Sequence, residues 1–193
     1  MPAKKVINEN MILSCALQLL KEKGISFVNA RSIAKELKCS TQPIYNSFKG
    51  MDDLKNKLLE ASWQIYENKI ENAIKENKTF TYKAMGLTYI KFAIEEKELF
   101  KFLFMRDRSK EINLNNEDFS FKESIKLIMQ NNNFSYNSAY FVHVSLWIYV
   151  HGIASQFATN YINWNINIVD KMLTHEYLAI IDYVKKEGEI KYE

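Results

Sequence analysis

The tightest constraint on this chain is its punctuation: five glycines and two prolines, Pro2 and Pro43, in 193 residues. Sheets joined by tight turns draw heavily on glycine and proline for left-handed or pre-set backbone positions. A chain so poor in both has to run in long elements with few turns, which predicts an all-α fold. Its 47% apolar and 13% aromatic content supplies a sizeable core and excludes an intrinsically disordered chain. Cys15 and Cys39 are too few for a disulfide framework, and each sits in an apolar, helix-like context where a small buried thiol is expected. The opening residues lead from Lys4 and Lys5 straight into an amphipathic segment without a cleavable signal pattern, so a cytoplasmic location is expected.

The net charge of +3 is unevenly spread. Residues 1–60 carry ten Lys/Arg against six Asp/Glu, whereas residues 61–193 carry sixteen against seventeen. A basic end on a neutral body points to an anionic partner for that end. From Leu127 to Val169, 43 residues contain no Asp, Glu, Lys or Arg, and Ala139–Ala158 is about as long as a bilayer is thick. That stretch holds two histidines, two serines and a glutamine, and its flanks are rich in asparagine with no Lys/Arg cluster to orient it. A helix buried on several sides in protein accounts for it better than a membrane span.

Helical periodicity begins with Ile12, Ala16, Leu19 and Leu20, and Gly24 is a C-terminal signal. Asn29 stands where an N-cap belongs, before a short helix from Ala30 to about Leu37. Ser40 reads as a second N-cap, opening a helix from Thr41 to about Lys49 with Ile44 and Phe48 inward. Pro43 falls in the first turn, where backbone N–H groups lack helical partners in any case. Asp52 reads as the cap of a long helix over 53–77. Further helices are expected over 81–95, 97–106, 118–131, 136–160 and 166–187, the last three separated by asparagine-rich joints such as Asn113 to Asn116. The long fourth helix should couple the two ends of the chain mechanically.

Two short helices joined by a tight connection describe a helix-turn-helix, whose second helix enters the major groove and reads base edges near its N-terminus. Here that region offers Thr41, Gln42, Pro43, Tyr45 and Asn46. Gln42 and Asn46 are amides suited to adenine, Thr41 donates or accepts, and Pro43 offers apolar contact to a thymine methyl. Tyr45 and Lys49, with Arg31 on the bracing helix, suit phosphates, and Lys4 and Lys5 would extend that contact. The competing reading is a helical hairpin without a nucleic-acid role, with Gln42 and Asn46 merely solvated.

The segment from Ile12 to Leu54 resembles the DNA-binding domain of the TetR/AcrR family of bacterial transcriptional regulators. The matching positions are a first helix ending in Gly24, Arg31 followed by Ile33 and Ala34, and Ile44, Tyr45 and Phe48 before Leu54. Farther on, Trp147, His151 and Gly152 resemble the W-x-x-x-H-G signature of one class of ligand-binding domains in that family. Three positions depart from the pattern: Lys38 replaces a common turn glycine, Met51 a phosphate-binding lysine, and Ser47 a common histidine or tyrosine. Lys49, Lys55 or Lys57 are the candidates to replace the missing lysine.

The resemblance implies a helix-turn-helix DNA-binding domain over 4–66 and a helical-bundle ligand-binding and dimerisation domain over 67–193. It further implies a homodimer built on the last two helices, which suits the charge-free segment. Phe102, Met105, Tyr140, Trp147 and His151 are the candidate contacts for a small apolar or aromatic effector. His143 and His151 lie eight residues apart on one helix face, but two histidines without a third ligand are poor evidence for a metal. No glycine-rich phosphate loop, nucleophile–base spacing or carboxylate pair supports catalysis or a cofactor. The expectation is a ligand-responsive repressor that binds a pseudo-palindromic operator in double-stranded DNA, without enzyme activity. The alternative is a helical small-molecule-binding protein or enzyme without specific DNA binding.

Overall fold

The computed structural model describes residues 7–77, 81–108 and 119–190. Among the described residues there are nine α-helices, one short 3-10 turn (Ile25–Phe27) and no strands. The helices are α1 (Glu9–Lys23), α2 (Ala30–Leu37), α3 (Gln42–Ser47), α4 (Met51–Glu76), α5 (Thr81–Glu95), α6 (Lys97–Phe104), α7 (Phe119–Asn132), α8 (Tyr136–Ala158) and α9 (Ile166–Glu187). The all-α expectation holds. Lys4, Lys5 and the joint from Asn113 to Asn116 lie outside the described residues.

The chain divides into two compact units. The first holds α1 to α3, the part of α4 up to Ile65, and Glu96–Arg106 with α6. Its core is built from helical stripes: Ile12, Ala16, Leu19 and Leu20 on α1, Ile33 and Ala34 on α2, Ile44 on α3, and Leu54 and Leu58 on α4. α6 adds Leu99, Phe100 and Leu103 and packs on α1. Lys21 of α1 donates to Glu96 at 3.0 Å, and Trp63 meets Phe104 edge-on at 5.2 Å. Gly24 is required here by its backbone, whose φ of +86° is one that side chains rarely adopt.

The second unit holds 66–95 and 107–193. In it α8 packs against α5, α7 and α9. Ala139, Val142, Leu146, Ile153, Ala154 and Phe157 are buried along it, which explains why a helix this apolar carries no charge. No helix among the described residues is long and apolar enough to cross a membrane. Two tyrosines on α5 meet two histidines on α8 in the same order along both helices, so these helices run parallel: Tyr82 with His143, and Tyr89 with His151.

Helix ends follow local chemistry, and two expected caps turn out otherwise than the sequence suggests. Asn29 accepts from the Ser32 N–H at 3.0 Å as expected, and Asn8 does the same for Met11. Ser40, by contrast, is not the cap of α3. Thr41 occupies that position and makes no side-chain cap. One available donor position is Pro43, which has no N–H, and the next, Ile44, already donates to the Thr41 carbonyl at 3.1 Å. Nor does Asp52 cap α4: the helix starts earlier, at Met51, because Leu54 donates to the Gly50 carbonyl at 3.3 Å. Asp52 and Asp53 instead lie in its first turn, where carboxylates complement the helix dipole.

Candidate nucleic-acid interface

Four residues separate α2 from α3, and their conformation sets the aim of α3. Lys38 ends α2 in the left-handed region at φ 54° and ψ 48°, where the resemblance expected glycine. The Cys39 N–H then donates to the Ala34 carbonyl at 3.0 Å, folding the turn back over the end of α2. α3 is shorter than its sequence suggested, ending before Phe48, which is already extended.

Ile44 on α3 and Phe48 just after it are buried, so the helix is pinned to the core along one side and at its end. The opposite side is then presented to solvent. Gln42, Tyr45 and Asn46 are all exposed, Tyr45 to 57%, while Thr41 and Pro43 at the start are half-buried. An exposed tyrosine between two exposed amides, on a helix with its apolar residues turned inward, offers hydrogen-bonding groups and a flat ring to a partner. Nothing in the packing of the unit itself demands them there.

The segments on either side of α3 carry cationic side chains. Arg31, Lys49 and Lys55 are exposed. The Lys49 backbone N–H donates to the Asp53 carboxylate at 2.9 Å, tying the end of α3 to the first turn of α4 and leaving the lysine ammonium outside this link. Lys57 is engaged differently. Its ammonium pairs with Glu9 of α1 and lies 5.5 Å from the Phe48 ring, and the Glu9 hydrogen bond raises its pKa. Of the three lysines suited to replace the lysine missing at Met51, Lys49 and Lys55 are therefore the better placed for a phosphate.

The residues expected at a ligand site belong to different compact units. Phe102 and Met105 are in the first, on and just after α6, Phe102 half-buried and Met105 exposed. Tyr140, Trp147 and His151 are in the second, on α8. Trp147 stacks on His151 at 5.4 Å with ring planes 17° apart, and Tyr89 bonds the His151 Nδ1 at 2.8 Å. Burial lowers the His151 pKa. His143 is held apart from it, bonded to Tyr82 at 3.2 Å, and burial lowers its pKa to about 4. Each histidine thus serves a separate tyrosine.

A feature the sequence reading missed is a groove of about 470 Å³ along α7. Phe121, Ile125, Met129 and Tyr136 line it, with Lys122 and Lys126 beside them. Tyr140 reaches its edge by packing on Phe121 at 5.9 Å. The signal was present as aromatic and aliphatic residues three to four apart on α7, a pattern indistinguishable from ordinary core.

The fold is similar to that of solved structures. A TetR-like transcriptional regulator from Rhodococcus sp. RHA1 matches with a TM-score of 0.65 at 12% identity, covering 96% of this chain and 99% of that one. A substituted TetR from Acinetobacter baumannii AYE, in complex with minocycline, matches with a TM-score of 0.53 at 17% identity, covering 93% and 97%. No known family profile and no curated protein sequence matches the chain.

Proposed function

We propose that this chain is a TetR/AcrR-type transcriptional regulator, a cytoplasmic repressor that binds operator DNA as a homodimer and is released by a small apolar or aromatic effector. The observation that carries this reading is the exposure of Gln42, Tyr45 and Asn46 on α3, opposite the buried Ile44 and Phe48. A helix so presented fits the major groove, where amides pair bidentately with adenine and a tyrosine reaches a phosphate. Arg31 and Lys49 add phosphate contacts, and Thr41 and Pro43 meet the first base pairs. The solved neighbours, a TetR-like transcriptional regulator and a substituted TetR in complex with minocycline, add support.

Dimerisation would use α8 and α9. Both helices carry large apolar side chains turned to solvent in the single chain: Ile148 on α8, Leu178 and Tyr183 on α9. A Cβ added at Gly152 meets nothing within 4 Å, so that surface is open for a second backbone. Two half-sites then lie about one helical turn, or a small multiple, apart on a pseudo-palindrome. Effector binding at Tyr140, Trp147 and His151 of the second unit biases the dimer away from its DNA-competent state through α4, which runs unbroken from Met51 to Glu76. By linkage, operator DNA weakens effector binding by the same factor. The chain acts by binding, and no catalytic step or cofactor enters this scheme.

The test is fluorescence anisotropy with the DNA upstream of the protein's own gene. Wild type should bind specifically, and Tyr45→Ala and Gln42→Ala should each lose about 1–3 kcal/mol with the dimer intact. Equal binding by both variants and wild type would rule out α3 as the reading helix.

A further inference from the structure

The two cysteines of the chain, Cys15 and Cys39, fall in the same compact unit, one on α1 and one in the turn before α3. Both are free and half-buried. α1 packs on α2, and Cys15 stands beside the buried Ala16 of α1. The turn brings Cys39 back over the end of α2 through its 3.0 Å bond to the Ala34 carbonyl. Leu37, two residues before Cys39, lines the same open surface groove as Cys15, Met11 and Ser14. Small oxidants therefore have a path to the Cys15 sulfur, and the second sulfur lies on the adjoining segment.

We propose that Cys15 and Cys39 are a peroxide-oxidisable pair whose closure to a disulfide ties the helix-turn-helix turn to α1 and releases DNA. The effect on DNA rests on the regulator reading above, whereas the thiol chemistry does not. Burial pushes the Cys15 thiol above its usual range, and Glu36 and Cys39 add to this by lying close enough to disfavour its thiolate. One of the two sulfurs attacks one oxygen of hydrogen peroxide, the O–O bond breaks, and that cysteine becomes a sulfenic acid as one water leaves. The other sulfur then attacks it, the S–O bond breaks, a second water leaves, and the disulfide forms. Peroxide is the oxidant, both thiol protons end in water, and the two electrons come from the sulfurs. α3 starts at Gln42, three residues beyond Cys39, so fixing the Cys39 side chain to α1 alters the aim of Gln42, Tyr45 and Asn46.

The experiment treats the reduced full chain with hydrogen peroxide and follows free thiols, intact mass, and binding to its upstream DNA. The expected result is loss of both thiols, a mass lower by two hydrogens, and a Cys15–Cys39 cross-linked peptide within one chain. Affinity for DNA should fall at least about tenfold and return with dithiothreitol. Cys15→Ser and Cys39→Ser should retain wild-type helicity and DNA affinity and resist the peroxide effect. Two free thiols after treatment, or a disulfide only between chains, would overturn the pair. A disulfide that leaves DNA affinity unchanged would overturn the switch. Reduced wild type that fails to bind DNA would overturn the regulator reading alone, while mass and thiol count still decide the pair.

Discussion

Acidification should destabilise this protein through His143 in a window where most proteins still hold their fold. His143 is 7% exposed, bonds Tyr82 from α5 at 3.2 Å, and faces the edge of Phe121 from α7 at 4.7 Å. Around this pair stands Tyr177 of α9, which meets Tyr82 and takes a hydrogen bond from Asn132. An imidazolium in that setting loses its water shell, and the folded-state pKa drops from 6.5 to about 4. The unfolded chain binds the proton as pH falls below the ordinary value, and the folded chain resists until near the lowered one. Stability is therefore complete above about pH 6.5 and is lost progressively down to about pH 4, by about 3 kcal/mol in all. The assay is urea unfolding of wild type and His143→Gln from pH 7 to pH 4, reading the difference between the two. His151, also lowered by burial, is common to both and cancels. The wild-type advantage should shrink by about 3 kcal/mol across the series. A difference that stays level with pH would refute the burial argument.

Three further outcomes follow from the same structure. Gly24→Ala should cost about 1–3 kcal/mol in thermal or urea unfolding, because its φ of +86° strains any side chain. Lys38→Gly should stabilise by up to about 1 kcal/mol by relieving the left-handed backbone at φ 54°, visible as a raised urea midpoint with an unchanged slope. Leu178→Asp, at a site 60% exposed in the single chain, should convert a dimer to a monomer in sedimentation at micromolar concentration with helicity unaltered. Sedimentation showing wild type and Leu178→Asp to be identical would argue against α9 as an interface.

What could be read before folding was whatever periodicity encodes. Spacings such as Ile12, Ala16, Leu19 and Leu20 locate a helix and its buried face, and Ile44 with Phe48 fixes which side of α3 remains for Gln42, Tyr45 and Asn46. Caps were less legible. Asn29 stands before an unambiguous helix, but Ser40 and Thr41 are both capping residues, and only the backbone shows that Pro43 deprives them of a donor. Periodicity also does not say against what a face packs. The 97–106 segment announces a helix through Leu99, Phe100 and Leu103, yet nothing in those residues names α1 as the partner that buries them. The aromatic residues share this ambiguity: Trp147 and Leu146 are neighbours in an apolar run, one 46% exposed and the other buried. Tertiary packing alone separates them, and for that reason the surroundings of the aromatic residues were less legible than the exposed side of α3.

Base-by-base reading is the claim on which the rest depends, and specificity measures it more directly than affinity. Wild type and Asn46→Ala would be titrated against the operator and a set of single base-pair substitutions at fixed salt. Wild type should discriminate at each half-site position by about 1–3 kcal/mol, and Asn46→Ala should lose discrimination at one position per half-site only. Uniform weakening on every sequence, or no change on any, would contradict base-by-base reading.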